Sequence, residues 1–262
     1  MPRSHSLAIA ETLSRDRRGM NKFCCKIAKA IFPKRPEKSS VRKGTGVQNS
    51  FLLPQTREDQ RKSKCCESLP LGVFLFKMSN VFIFHGTGGY PEENWFPWLK
   101  KELEELECKV IIPKFPSPEN QTLENWFKIF NLHKKCYNKN TILVGHSLGG
   151  AFLLRVLEKA SIKINASFIV AAPIGVLPIK NYEADRLFLR KFSFDWDKIK
   201  NHCGKFFVFH SDNDHYVSIG NGEELSKQLG TELIFIPKAG HFNKAAGYLT
   251  FDALLERIKS EI

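Results

Sequence analysis

Thr141-Ile142-Leu143-Val144-Gly145-His146-Ser147-Leu148-Gly149-Gly150 is the stretch on which the fold turns. Its first four residues form an apolar run without polar alternation, the mark of a strand buried on both faces. From Leu148 to about Lys159 the apolar residues recur at helical spacing. Between the two lies Gly145-x-Ser147-x-Gly149. As a bare pattern this is weak, but a strand before it and a helix behind it are the context of a nucleophile elbow. There the serine occupies a tight, strained turn whose flanking positions must be small. The turn lifts Oγ above the sheet edge, with the positive end of the helix aimed at it.

The same alternation extends in both directions. Short apolar runs at Val81–Phe84, Val110–Ile112, Ser167–Ala171, Phe206–His210 and Leu233–Ile236 read as strands. Helical stripes at Asn94–Glu107, Leu123–Leu132, Glu223–Leu229 and Thr250–Lys259 read as crossovers between them. The expected class is α/β, a three-layer sandwich around a six-stranded parallel sheet. Ligands of such sheets sit beyond the carboxyl ends of the strands. The post-strand segments carry the unusual residues: His85-Gly86-Thr87-Gly88-Gly89, Gly145 to Gly150, Ser211-Asp212-Asn213-Asp214 and Ala239-Gly240-His241-Phe242.

A serine hydroxyl needs a base within hydrogen-bonding reach. Among eight histidines, His241 is the candidate, because a glycine-led loop after the last strand can bring it back over Ser147. His146 is expected to point elsewhere, His133 and His202 to lie on helical segments as surface or packing residues, and His210 to be a core residue. An orienting carboxylate is expected after the fifth strand, giving the chain order Ser, Asp, His. Asp212 and Asp214 both qualify; Asp214 fits the loop pattern better, and Asp212 has a second reading as a turn residue. The N–H of Leu148 is one candidate oxyanion donor, and Thr87 is the other. Neither G-x-G-x-x-G nor a P-loop is present, so the first loop is not read as a nucleotide site.

Charge divides the chain of 262 residues unevenly. Residues 1–77 hold 17 Lys+Arg and 6 Asp+Glu, which leaves 23 and 21 for residues 78–262. The body is nearly neutral, so nucleic-acid binding by it is not expected. The leader is expected to be largely disordered. Rival readings are a targeting segment, a mis-assigned start with translation beginning at Met78, or a short basic amphipathic helix touching an anionic membrane. That helix would carry Phe23, Ile27, Ala30 and Ile31, with Cys24-Cys25 open to acylation. No apolar run approaches the roughly 18 residues of a membrane span. Seven cysteines, an odd number with no signal-peptide pattern before them, argue against a secreted disulfide framework and for the cytoplasm. Adjacent pairs at Cys24-Cys25 and Cys65-Cys66 lack zinc-ligand spacing. His210, Asp212, Asp214 and His215 are not read as a metal cluster, because two of the four would point into the sheet. No metal or cofactor is expected.

These residues resemble the small serine hydrolase family typified by retinoblastoma-binding protein 9, over roughly Asn80 to Ile262. The likeness is carried by Gly145-His146-Ser147, by Trp95-Phe96-Pro97-Trp98-Leu99-Lys100-Lys101-Glu102-Leu103, by Phe194-Asp195-Trp196-Asp197-Lys198-Ile199-Lys200-Asn201-His202-Cys203, and by Gly240-His241-Phe242. It implies a minimal α/β-hydrolase fold beginning at the oxyanion strand, with Ser147, Asp214 and His241 as a triad. The His-Gly-Thr-Gly-Gly loop departs modestly from the family's glycine-rich loop, and residues 1–77 have no counterpart. The function expected is hydrolysis of small acyl esters, or of amides, through an acyl-enzyme. Asn181–Trp196, rich in aromatic residues, is expected to form a small cap favouring short acyl groups, with core filling as its alternative role. The rival function is an interaction protein on a hydrolase fold, with little turnover.

Overall fold

β1 (Asn80–Phe84) begins the ordered description in this computed structural model, which describes residues 78–262. The expectations for the leader lie outside the described residues. Four consecutive residues, Val81 to Phe84, are fully buried, and their side chains alternate between two separate cores. Phe82 and Phe84 enter one with Trp126, Leu143 and Phe152. Val81 and Ile83 enter the other with Trp95, Phe96, Phe168 and Phe251. A strand with apolar neighbours on both sides requires a layer of helices on each face.

Those layers are present. After β1 come α1 (Phe96–Glu105), β2 (Lys109–Ile111), α2 (Leu123–Leu132), β3 (Thr141–His146), α3 (Leu148–Glu158) and β4 (Ile164–Val170). Two short helices follow, α4 (Tyr182–Phe188) and α5 (Trp196–Asn201). Then come β5 (Cys203–His210), α6 (Ile219–Leu229), β6 (Leu233–Phe235) and α7 (Asp252–Lys259). All described strands pair in parallel, in the order β2-β1-β3-β4-β5-β6. α2, α3 and α6 bury Trp126, Phe152 and Leu225 in the first core, while α1 and α7 bury Leu99 and Leu254 in the second. The expected three-layer sandwich on a six-stranded parallel sheet is therefore observed.

The strand order reverses between β1 and β3, and a crevice opens where neighbouring loops leave the sheet in opposite directions. Register sharpens this point: Phe84 lies beside Gly145, Gly145 beside Ile169, and Ile169 beside Val208. The segments beginning at His85, His146 and Ser211 thus emerge from one edge. None of the described helices is long and apolar enough to cross a membrane.

Candidate active site

Ser147 stands at the junction of β3 and α3 with φ 55° and ψ −129°, outside the regions that L-residues favour. The surroundings over-determine this strain. Ser147 N–H donates to the Val170 carbonyl at 2.8 Å. A Cβ at Gly145 would come within 2.5 Å of Gly150 Cα, and one at Gly149 would overlap the carbonyl oxygens of Phe84 and His85. The small residues of the motif let the first turn of α3 press directly on the end of β1. That turn begins with Leu148, whose N–H has no acceptor within the helix.

The loop after β1 passes close to the serine. A Cβ at Gly86 would lie 2.8 Å from Ser147 Cβ and 3.2 Å from Oγ, so only glycine leaves space there. Buried His85 anchors this loop: its Nδ1–H donates to the Gly86 carbonyl at 2.9 Å, and Nε2 accepts from Phe115 N–H at 3.0 Å. Burial lowers the His85 pKa, which suits this neutral, donor-plus-acceptor role. Thr87 is exposed, and its Oγ1 accepts from Gln121 Nε2 at 3.1 Å.

His241 and Asp214 meet through a 2.7 Å contact between Nδ1 and Oδ2. The other carboxylate oxygen accepts from the N–H groups of Tyr216 and Val217 at 2.8 and 3.1 Å. The Asp214 side chain is fully buried, which by itself pushes its pKa up. The hydrogen bond and charge of His241, with the two amides, outweigh burial and leave the carboxyl below its ordinary value. His241 lies with its ring centroid 4.8 Å from those of both His146 and Tyr216.

Asp212 serves differently. Its Oδ1 accepts from Lys238 N–H at 2.8 Å, Ser211 Oγ accepts from Ala239 N–H at 2.9 Å, and Asn213 Oδ1 accepts from Gly240 N–H at 2.7 Å. Successive residues after β5 thus clamp successive residues of the His241 loop. Trp95 Nε1 donates to the Phe242 carbonyl at 2.9 Å, and Asn94 Oδ1 accepts from Lys244 N–H at 2.8 Å, fixing the far end. Ser147, His241, Thr87 and Gly86 line one cavity of about 640 Å³. That volume suits a small organic molecule.

Residues 81–260 match the family described as serine hydrolase. The chain belongs to the serine hydrolase family. It is 28% identical over 182 residues to YdeN of Bacillus subtilis, a protein that carries the name of a hydrolase, covering 69% of this chain and 94% of the relative. Serine hydrolase RBBP9 of Rattus norvegicus is 26% identical over 177 residues, covering 67% of this chain and 90% of that protein. The crystal structure of the B. subtilis ydeN product superposes with a TM-score of 0.65 at 28% identity, over 70% of this chain and 98% of that one. Est1E of Butyrivibrio proteoclasticus, at 17% identity and a TM-score of 0.55, shares the α/β-hydrolase fold.

One histidine of this hydrolase departs from its sequence reading. His146 does not point away: its Nε2–H donates to the His241 carbonyl at 2.7 Å. Burial, then the nearby His241, drives the His146 pKa down to about 3, so the ring is a neutral strut beneath the loop. His210 is a buried core residue, and His202 Nδ1–H reaches the Leu157 carbonyl at 3.0 Å, both packing roles. The 181–196 segment divides between its two expected roles. Asn181 and Asp185 line the cavity, whereas Phe188 and Leu189 belong to the core and Phe192, Phe194 and Trp196 pack against it. His85 and Asn213 stand in the post-strand segments the sequence marks, but their partners, and the place of Asp185 at the cavity, had no sequence signal, since each depends on contacts between distant loops.

Proposed function

We propose that this hydrolase cleaves small acyl esters through a Ser147–His241–Asp214 triad. The observation that carries the reading is the 2.7 Å His241–Asp214 contact beside the cavity that Ser147 lines from the strained strand–helix turn. Asp214 holds the His241 proton on Nδ1, which leaves Nε2 free to act as a base. Ser147 Oγ attacks the ester carbonyl carbon while its proton passes to Nε2. The carbonyl oxygen becomes an oxyanion facing the N–H groups of Leu148 and Thr87. Collapse breaks the bond to the alcohol, which leaves with the proton from His241, and the acyl group remains on Oγ. Water then attacks the acyl-enzyme with His241 as base, releasing the acid and restoring the serine.

The chemistry calls for no metal or cofactor, and an ester is favoured over an amide because its alkoxide leaves more readily. The free thiols of Cys108, Cys136 and Cys203 suit a reducing compartment and support a cytoplasmic enzyme. The test is labelling by a fluorophosphonate probe of wild type, Ser147→Ala and His241→Ala, with turnover of 4-nitrophenyl acetate and butyrate in parallel. Labelling of wild type alone is the expected result. A folded wild type that neither labels nor turns over ester would end the reading, and labelling that survived Ser147→Ala would move the nucleophile elsewhere.

A further inference from the structure

Asp185 lines the same cavity as Ser147 and His241. It is only 5% exposed, and its Oδ1 is buried without a hydrogen-bond donor among the described residues. The backbone of α4 does not depend on it: Asp185 N–H bonds the Asn181 carbonyl at 2.9 Å, and its own carbonyl accepts from Leu189 N–H at 2.8 Å. Arg186, the adjacent base, pairs instead with Glu183 at 2.9 Å. A buried acceptor left without a donor costs free energy that an apolar residue would avoid. Burial is the sole cause that lifts the Asp185 carboxyl, to about 7, so no cation among the described residues compensates it.

The other ionisable groups lining the cavity, apart from His146, His241 and Tyr216, divide by depth. Lys180 and Lys244 are exposed, and Lys180 Nζ lies 4.4 Å over the Tyr216 ring. Glu93 is half-buried, with its carboxyl pushed up by burial. The bases are thus at the rim, and the desolvated groups are acids. An unpaired, desolvated carboxylate binds a cation carrying N–H donors more strongly than a neutral donor, because the pair also cancels its charge.

Resting on the ester-hydrolase reading above, we propose that Asp185 is the specificity-determining residue of the cavity and receives an ammonium group of the substrate. The ammonium N–H donates to the carboxylate while Ser147 attacks the ester carbonyl. Selection therefore favours cationic esters over neutral ones of the same shape. An ammonium on the acyl part and one on the alcohol part are the two sources of that group.

The test compares matched esters by acid release. Ethyl alaninate against ethyl 2-methylpropanoate places the amine on the acyl side. 2-(Dimethylamino)ethyl acetate against 3-methylbutyl acetate places it on the alcohol side. Wild type is expected to favour the ammonium member of at least one pair by about tenfold or more in kcat/KM. Asp185→Asn, nearly isosteric, is expected to bring that ratio to within about threefold of unity. No preference in either pair, or a preference that survives Asp185→Asn, overturns the proposal. Where the acyl-side pair carries the preference, so does ethyl lactate reacting as well as ethyl alaninate, since Asp185 would then read a neutral donor. Should Asp185→Asn fail to fold by circular dichroism, inhibition of wild-type 4-nitrophenyl acetate hydrolysis decides instead. Butylammonium must then inhibit at least tenfold more strongly than 1-butanol, and equal inhibition refutes the cation site. Fluorophosphonate labelling with turnover of neutral esters, but no preference, sinks only the Asp185 assignment. Absence of both sinks the hydrolase reading itself.

Discussion

Replacing Asp214 by Asn separates it from Asp212, the other carboxylate after β5. In Asp214→Asn the Oδ1 that accepts from Tyr216 and Val217 is preserved, so the loop keeps its backbone hydrogen bonds. The atom facing His241 Nδ1 at 2.7 Å becomes an NH2 group. It can only donate, so Nδ1 must accept and the imidazole proton moves to Nε2. The base is then occupied at the atom that should take the Ser147 proton. Such a tautomer error costs about 10⁴-fold in kcat, roughly 5 kcal/mol of transition-state stabilisation. Asp212→Asn keeps its acceptor for Lys238 N–H, and the variant should fall no more than about fivefold. Steady-state hydrolysis of 4-nitrophenyl butyrate by both variants, with melting curves to verify folding, makes the comparison. Equal losses in the two variants would refute the assignment, as would an Asp214→Asn enzyme retaining a tenth of wild-type activity. Stability adds an independent readout. The folded-state pKa of Asp214 is depressed, so its stabilisation is full above the unfolded-state pKa and disappears as pH falls through the folded value. Asp214→Asn should remove that acid-side slope.

Buried His146, with its pKa held near 3, must be neutral in the fold but titrates near 6.5 when unfolded. Its contribution is therefore complete above about pH 6.5 and is lost as pH falls toward 3, with a slope of up to about 1.4 kcal/mol per pH unit. His146→Gln should flatten this slope in denaturant melts between pH 6.5 and 4; an unchanged slope would contradict the buried neutral ring. Arg155, 4% exposed, binds Glu158 at 2.7 Å and the Ser193 carbonyl at 2.8 Å, also donates to the Leu189 carbonyl, and lies 4.1 Å over the Phe194 ring. Arg155→Met leaves Glu158 Oε2 and two carbonyls without their Arg155 donors, and should cost about 3–5 kcal/mol by urea denaturation; a loss below 1 kcal/mol would show that α3 does not hold the 189–193 segment. Phe152 is fully buried against Phe84, Phe115, Trp126 and Phe127, so Phe152→Ala should cost about 3–5 kcal/mol in the same assay.

What the sequence made legible follows from the range of each interaction. The six strands are short apolar runs that announce themselves locally, and the elbow is a five-residue pattern whose context lies within ten residues on either side. The start of α6 was hidden for a local reason of the opposite kind. Gly220 and Gly222 dilute its helical signal, yet a Cβ at Gly222 would fall 2.7 Å from His210 Cβ, so packing demands what propensity disfavours. The expected start at Glu223 is therefore four residues late, the observed helix beginning at Ile219. α4 lies inside the 181–196 segment that reads as cap or core filling, and α5 starts at its last residue; seven and six residues are too few for a periodic pattern to mark either helix.

The candidate triad was legible because chain order and strand ends limit where a base and an acid can sit. Its support was not. His146, Asn213 and Trp95 all act on one short loop, from three different places in the chain. Removing one of these contacts leaves the loop held by the others, whereas Asp214 is the only described side chain that hydrogen-bonds to the His241 ring. Substitutions along the clamp should therefore weaken the site by increments, and substitution of Asp214 should abolish it. Local patterns expose the groups that each have a single partner; redundant, long-range supports become visible only when the loops are seen together.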